Sequence, residues 1–118
     1  PATPLTDWRN PQNINLWQGV NGINNPCPTG FRLPTEAEWN AELASWTLKN
    51  SDGAYASPLK LTVAGSREII INNTGISGSY WSSTVSGDGS RYFNFSNAGA
   101  FVLTHNRVYG GSIRCIKN

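Results

Sequence analysis

Charged residues and long apolar stretches are both scarce in this sequence. Charged side chains make up 14% of the 118 residues, well below the ~25% of an average soluble domain. Gly, Asn, Ser and Thr are frequent instead, which favours turns and β-structure over a helical bundle. No apolar segment approaches the ~20 residues of a membrane-spanning helix, so we expect no direct membrane insertion.

Concentrated positive charge is also missing. The net charge is +2, and the nine Lys and Arg residues are scattered along the chain. A protein that neutralises several phosphates together needs a basic patch, so we expect no nucleic-acid partner. A length near that of a typical domain predicts that residues 1–118 form a single domain.

Residues that commonly carry catalysis are few. The chain has one His and seven carboxylates, and it lacks the Gly-x-Ser-x-Gly, His-Glu-x-x-His and phosphate-loop patterns. His105 stands among Leu103, Thr104 and Asn106, with no nucleophile or base in its pattern. The glycines of 86–90 are better explained as a hairpin turn. Two distant Cys and one His do not make a zinc site, so we expect no enzyme activity, metal or cofactor.

Only two cysteines are present, and they lie near opposite ends of the chain. A bridge between Cys27 and Cys115 could stabilise the fold by roughly 4 kcal/mol. Such a bridge would indicate an oxidising setting, whether extracellular, on a cell surface or on a virion. The alternative is a pair of buried free thiols in a cytosolic protein.

One helix is strongly indicated after Pro34. Thr35–Glu38 is a capping box that places two carboxylates in the first turn. The spacing predicts a helix that ends near Lys49–Asn50, before Asp52–Gly53. Three apolar side chains share one face of it: Trp39, Leu43 and Trp46. We expect the two tryptophans to lie in the core.

Period-two patterns follow the helix. Alternation over 59–63 predicts a strand, and 69–71 predicts a second short buried segment. Gly, Asn, Asp and Ser clusters separate four more predicted strands, which should form an antiparallel sheet: 80–85, 91–95, 100–104 and 112–116. The Pro- and Asn-rich residues 1–30 should be extended and turn-rich, anchored to the core by Trp8 and Trp17.

Three motifs resemble those of known families. Gly30–Trp39, with the sequence GFRLPTEAEW, resembles the signature of the formylglycine-generating-enzyme type of C-type-lectin fold. Tyr80–Thr84 and Gly110–Cys115 resemble the major paralogous surface-protein domain first catalogued in Fibrobacter. Together they span roughly 26–118. The resemblance implies an α+β, C-type-lectin-like fold, loop-rich, with one or two helices packed on a small twisted antiparallel sheet.

The family activities do not carry over with the motifs. Formylglycine-generating enzymes hold copper with two nearby cysteines close to the C-terminus, whereas this chain has only Cys115 there. The Asn-Pro-Cys-Pro context of Cys27 resembles that of the disulfide partner in the major paralogous family, which implies a structural Cys27–Cys115 bridge. The Glu-Pro-Asn and Gln-Pro-Asp tripeptides of calcium-dependent lectins are missing, so the chain offers no support for calcium-dependent sugar binding.

The segment 79–118 is also similar to the variable region of proteins diversified by retroelements. In such regions a reverse transcriptase mutates adenines and thereby changes the residues at asparagine codons. The residues between them stay constant and form a fixed frame. Here the frame comprises Trp81–Thr84, Asn94–Phe95, Ala100, Val102, Arg107 and Arg114–Cys115. The resemblance implies that the interleaved residues bind the ligand, and they form the predicted ligand-binding set: Asp88, Ser90, Arg91, Tyr92, Gly99, Phe101, Leu103, His105, Tyr109 and Gly111.

Strand alternation leaves open which face of 99–105 is buried. Size alone would bury Phe101 and Leu103, whereas the frame favours Ala100 and Val102 packing against the helix. In the second case the exposed apolar residues would form a binding patch.

The sequence therefore predicts a non-enzymatic, receptor-binding or adhesin-like module with a changeable surface. Its partner would be a protein or glycan on another cell or surface, and its oligomeric state stays open. The alternative is a fixed-specificity carbohydrate-binding or structural domain of a bacterial envelope protein. A degenerate formylglycine oxidase is a third hypothesis.

Overall fold

A computed structural model describes Asp7, Arg9, residues 11–68 and residues 70–118. These residues form an α+β arrangement of two short helices and three small antiparallel sheets, which confirms the coarse fold class. In chain order the elements are β1 (Phe31–Arg32), α1 (Glu36–Ala44), α2 (Ser51–Ala56), β2 (Ser66–Arg67), β3 (Ile71–Asn72), β4 (Ser77–Ser86), β5 (Gly89–Ser96), β6 (Gly99–Asn106) and β7 (Ile116–Lys117).

The three longest strands form the central sheet in the order β4-β5-β6. Gly87 and Asp88 make the turn between β4 and β5, as the pattern of 86–90 predicts, and Gly87 has a positive φ of 56° that suits glycine. The register of β4 shifts between Trp81 and Val85, whereas β5 pairs with β6 without a break. β6 lies at one edge of this sheet.

An aromatic cluster between the helices and the sheet forms the core. Trp39 and Trp46 are 1% and 6% exposed, which confirms their predicted place in the core. Trp39 stacks on Phe93 with ring centroids 5.0 Å apart, and Trp46 meets Phe93 at 5.4 Å. Phe95 is also fully buried. Trp39 of α1 and Trp46, which follows the helix, therefore pack together on the flat inner surface of the sheet.

Helix α1 begins as its capping box predicts. Thr35 Oγ1 accepts from the Glu38 amide, and a Glu38 carboxylate oxygen accepts from the Thr35 amide at 2.8 Å. Arg32 donates to both oxygens of the same carboxylate, at 2.7 and 2.8 Å. The helix nevertheless ends at Ala44, earlier than predicted.

The residues expected to follow the helix begin a second one. Asn50 is extended, with φ −158°, and its side chain accepts from the amides of Asp52 and Gly53. This is N-cap geometry, so the segment predicted as a helix end starts α2. A Cβ at position 53 would lie 1.6 Å from the Leu48 carbonyl oxygen, so the close packing of α2 requires glycine there.

The predicted strand over 59–63 and the predicted buried segment over 69–71 do not form as expected. Residues 59–63 are not a strand because Lys60 has a left-handed φ of 51°, although Leu61 is buried. Ile70 and Ile71 are each 65% exposed, so they do not form a buried segment, and Ile69 lies outside the described residues. Ile71 instead belongs to β3, a two-residue strand that pairs with β2. For both segments, hydrophobic character alone predicted the wrong structure.

The two ends of the described chain also depart in part from expectation. Residues 112–116 are not one strand: Ser112 bridges Tyr80, and only β7 pairs with β1. Residues 11–30 contain turns and an isolated Leu16–Ile23 bridge, as predicted. Trp17 is half-buried outside the aromatic cluster, and Trp8 lies outside the described residues.

A disulfide joins Cys27 to Cys115, with the Cα atoms 5.8 Å apart. This confirms the bridge that the resemblance implies and excludes the pair of free thiols. Next to it, β1 pairs with β7 and the Asn118 amide donates to the Gly30 carbonyl. The bridge therefore links the segment before β1 to the segment before β7. None of the helices in the described ranges is long and apolar enough to span a membrane.

The Arg32–Glu38 pair predicts a pH dependence of stability. Hydrogen bonding from Arg32 lowers the pKa of Glu38 from its usual 4.5 to about 2. Because the folded-state pKa is the lower one, this contribution is complete above pH 4.5 and is lost as the pH falls toward 2. We expect the melting temperature of Glu38→Gln to fall less than that of the wild type across this window. Parallel acid titrations, followed by circular dichroism, would contradict this account if the two proteins lost the same stability.

Candidate ligand-binding face

The central sheet has one face toward the helices and one away from them. Ala100 and Val102 of β6 pack against the aromatic cluster. Phe101 and Leu103, on the opposite face, are 57% and 43% exposed. Burial of Phe101 and Leu103, which their size alone favours, is therefore wrong. Tryptophan and phenylalanine side chains already fill the interior, and only small side chains fit beside them. We call the exposed side of β4-β5-β6 the outer face.

A row of aromatic rings crosses the outer face. Successive centroids are 5.9 Å apart between Trp81 and Tyr92, 5.2 Å between Tyr92 and His105, and 4.1 Å between His105 and Tyr109. These spacings allow edge-to-face contacts that hold the rings in place. Tyr92 is also the direct cross-strand partner of Leu103. The row, defined by these four rings, thus adjoins the exposed apolar residues of β6.

Burial favours the neutral forms of two members of the aromatic row, Tyr92 and His105. Burial lowers the pKa of His105, an effect that the nearby charge of Glu68 partly offsets, and its Nδ1 accepts from the Asn106 amide at 3.0 Å. Burial raises the pKa of Tyr92. Both groups therefore remain neutral near pH 7. The row offers apolar surface with a few hydrogen-bonding groups, as is common for surfaces that bind other molecules.

Most of the predicted ligand-binding set gathers on or beside the outer face. Gly99 lies where an added Cβ would meet the Phe101 ring at 3.0 Å, and Gly111 lies against the Trp81 indole. Asp88 is exposed in the hairpin turn, where its carbonyl accepts from Gln12. The members that share the face or border it are Ser90, Tyr92, Gly99, Phe101, Leu103, His105, Tyr109 and Gly111.

Arg91 is the member that the structure places elsewhere. It lies on the helix side of the sheet, and its guanidinium binds both carboxylate oxygens of Glu36 at 3.0 and 2.9 Å. It also donates to Thr104 Oγ1 and to the Val102 carbonyl at the edge of β6. Alternation along β5 explains this position, because Arg91 shares the side of Phe93 rather than that of Tyr92.

A cavity of about 550 Å³ lies between the N-terminal segment and one end of the outer face. Its aromatic walls are Trp17, Trp81 and Tyr109, so it continues the aromatic row. Arg107 forms part of its polar wall together with Asp7. The volume is in the range of small-molecule sites.

Sequence reasoning missed the N-terminal wall of this cavity. Trp17 and Asn24 both line it, and both have left-handed φ values, 63° and 53°, in a loop closed by the bond from the Trp17 amide to the Ile23 carbonyl. Left-handed backbone is rare for a residue as large as tryptophan. No spacing pattern announces such a loop, and the one available signal was the density of Asn and Gly in 13–25.

Within the described residues, no three His, Cys, Asp or Glu side chains cluster as a metal site would require. Comparison of the chain with models of protein families, with curated proteins and with solved structures finds no match. The outer face and the cavity are therefore the features that indicate a function.

Proposed function

We propose that this protein is a non-enzymatic ligand-binding module with a C-type-lectin-like fold, and that it binds its ligand with the outer face. The exposure of Phe101 and Leu103 beside the aromatic row carries the proposal. Exposed apolar side chains rimmed by polar groups commonly mark a binding surface. Large rigid aromatic side chains are also effective anchors, since they lose little conformational entropy on binding.

The proposal extends to a surface that changes while its scaffold does not. Ala100 and Val102 of the frame pack inward, and Cys115 is bridged, whereas Phe101 and Leu103 have no place in the core. Substitution at the exposed positions would thus leave the packing intact. A near-identical copy of the coding segment for residues 80–118, with asparagine codons at the ligand-binding set and a neighbouring reverse transcriptase, would support diversification by a retroelement.

The disulfide supports an extracellular location for this function, on a cell or virion surface. The partner would then be a protein or glycan on another cell or surface. The fixed-specificity alternative draws support from the cavity, because a concave site with polar and aromatic walls suits one small ligand better than a changeable partner.

Leu103→Asp tests the outer face without attacking the core. Protein and glycan arrays probed with the domain identify a ligand, and the variant is then compared with wild type on it. We expect a loss of affinity of at least ~10-fold, while the free energy of unfolding changes by less than about 1 kcal/mol. Unchanged affinity would refute the outer-face proposal.

Leu48→Asp is the matched control. Leu48 is 54% exposed and follows α1, on the helix side of the sheet. The Leu48→Asp substitution introduces the same charge as Leu103→Asp, so a general electrostatic effect would weaken ligand binding equally in both variants. Loss of affinity only at Leu103 locates the binding surface.

A further inference from the structure

We propose that the cavity lined by Trp17 and Trp81 binds a proline-rich segment of a partner protein in the polyproline II conformation. This inference rests on the proposed ligand-binding function and names the chemistry of one partner. Phe101 and Leu103, which carry the outer-face proposal, do not line the cavity. Two accessible indole N–H donors, an engaged carboxylate and an aromatic wall support the inference.

The two tryptophans of the cavity wall have indole N–H groups without an acceptor. Within the described residues, neither Trp17 Nε1 nor Trp81 Nε1 donates a hydrogen bond, whereas the indoles of Trp39 and Trp46 are both paired. Among the buried side-chain nitrogen and oxygen atoms of the described residues, Arg107 Nη1 is the one without a hydrogen bond. The indole nitrogens of Trp17 and Trp81 are therefore accessible to a ligand.

The indole nitrogen of Trp81 lies beside Gly111, which also lines the cavity. A Cβ added at Gly111 would lie 3.2 Å from Trp81 Nε1 and 3.4 Å from Cδ1, so the donor edge of the ring adjoins a residue without a side chain. The glycine leaves the space through which an acceptor on a ligand can approach the Trp81 N–H.

The loop that carries Trp17 is fixed against the sheet. The Trp17 amide donates to the Ile23 carbonyl at 2.9 Å, and Gln18 Nε2 donates to the Ser83 carbonyl of β4. These contacts hold Trp17 in left-handed backbone, a strained conformation that often marks a residue at a binding site. Because the wall is held in place in advance, it loses little conformational freedom when a ligand binds.

The strongest acceptor of the wall is already engaged. Asp7 supplies the one carboxylate among the described residues that line the cavity. Its Oδ1 accepts from the Arg9 amide at 2.9 Å, and its Oδ2 lies 3.6 Å from Arg107 Nη1 in an ion pair. The free indole donors therefore have no free carboxylate opposite them. Such a site suits a ligand that presents carbonyl oxygens and brings few donors of its own.

A proline-rich segment meets this requirement. Each proline has a carbonyl group but no N–H, and a polyproline II helix has no internal hydrogen bonds that would occupy its carbonyls. Such segments bind in aromatic-lined grooves, and because their helix is preformed they lose little entropy. Trp17, Trp81 and Tyr109 supply aromatic surface against which the pyrrolidine rings can pack. The cavity volume of about 550 Å³ admits a few residues.

Two other ligand classes fit less well. A peptide in β conformation adds to a free strand edge, but the edge of β4 beside the cavity is taken. There the Trp81 amide donates to the Ser112 carbonyl at 3.0 Å, and the Ser112 amide donates to the Ser79 carbonyl at 2.8 Å. A neutral saccharide brings hydroxyls that each donate as well as accept, and the carboxylate of Asp7 is not free to receive them.

Titration of the full chain with an acetylated and amidated octaproline tests the inference. A Gly-Ser peptide of equal length has the carbonyls without the preformed helix, and maltoheptaose represents the sugars. We expect octaproline to bind at least ~10-fold more tightly than either and to shift the NMR signals of both indole N–H groups. Equal binding of the Gly-Ser peptide would refute the proposal, and equal or tighter binding of maltoheptaose would replace it with a saccharide site. No binding of octaproline up to about 10 mM would also overturn it.

Three variants locate the bound segment. Trp81→Phe and Trp17→Phe each keep an aromatic ring and remove one N–H, so each should weaken octaproline binding about 3- to 10-fold, as expected for one hydrogen bond. Gly111→Ala places a methyl group beside Trp81 Nε1 and should weaken binding at least as much. The backbone at Gly111 is not left-handed, so it accommodates alanine. Full affinity in all three variants would contradict the proposed site.

Tyr55→Phe is the matched control. It also removes one polar hydrogen from an aromatic side chain, but Tyr55 belongs to α2, is 61% exposed and does not line the cavity. We expect octaproline to bind this variant as tightly as it binds wild type. The melting temperatures of the four variants show whether each is folded. Equal loss of affinity in Tyr55→Phe would contradict binding in the cavity.

The outcomes also separate this inference from the outer-face proposal. If Leu103→Asp abolishes binding of the array ligand while wild type never binds octaproline, the cavity proposal alone fails. If octaproline binds as expected while Leu103→Asp leaves the array ligand unaffected, the outer-face proposal alone fails.

Discussion

Replacing Cys27 and Cys115 together by serine should lower the free energy of unfolding by about 4 kcal/mol. The bridge joins residues separated by 88 positions, and in the chain-entropy model a loop of this length gives a stabilisation of that order. The loss is large for a chain of 118 residues, because the total stability of a folded protein of this size is roughly 5–15 kcal/mol.

Urea denaturation provides the measurement. The double serine variant and reduced wild type should unfold at the same, lower midpoint, because both lack the covalent link while their other contacts are retained. The oxidised wild type should unfold at a higher midpoint. A difference below about 1 kcal/mol between the oxidised and reduced forms would show that the paired β1 and β7 strands hold the chain ends together without the bridge.

Phe93→Ala should destabilise the protein by about 3–5 kcal/mol, through lost burial and the cavity left behind. Phe93 is completely buried and contacts Trp39, Trp46 and Phe95. The surrounding rings are held by one another and by the sheet, so they cannot easily close the gap.

Phe101→Ala is the matched control for this prediction. The same substitution is made one strand away, on the outer face, where the side chain is 57% exposed. We expect a change below about 1 kcal/mol. Chemical denaturation of both variants measures the difference, and similar losses would contradict the assignment of the two faces.

Local signals predicted the beginning of α1, the core positions of Trp39 and Trp46, and the β4-β5 turn. Each depends on neighbouring residues, as when Thr35 and Glu38 cap a helix or Gly87 permits a turn. Periodicity did not decide which face of β6 is buried, because Phe101 is as apolar as a core residue. Tertiary packing settled it: the aromatic cluster left room only for Ala100 and Val102.

What the sequence did not predict depends on backbone geometry and distant contacts. A left-handed residue at Lys60 interrupts an otherwise regular alternation, and side-chain capping by Asn50 begins a second helix where the predicted one was expected to end. The cavity joins Trp17 to Trp81 across many intervening residues. Such pairings arise only when the chain has folded, so periodicity and motifs carry little information about them.

The ion pair of Arg91 and Glu36 has a consequence for solubility. β6 is an edge strand of eight residues with no Asp, Glu, Lys or Arg, and such an edge can template the addition of strands from other molecules. Arg91 covers part of it by binding the Val102 carbonyl and the Thr104 hydroxyl. An incoming strand would have to displace this anchored guanidinium. We therefore expect loss of the Arg91 side chain to make association of neighbouring molecules through β6 easier.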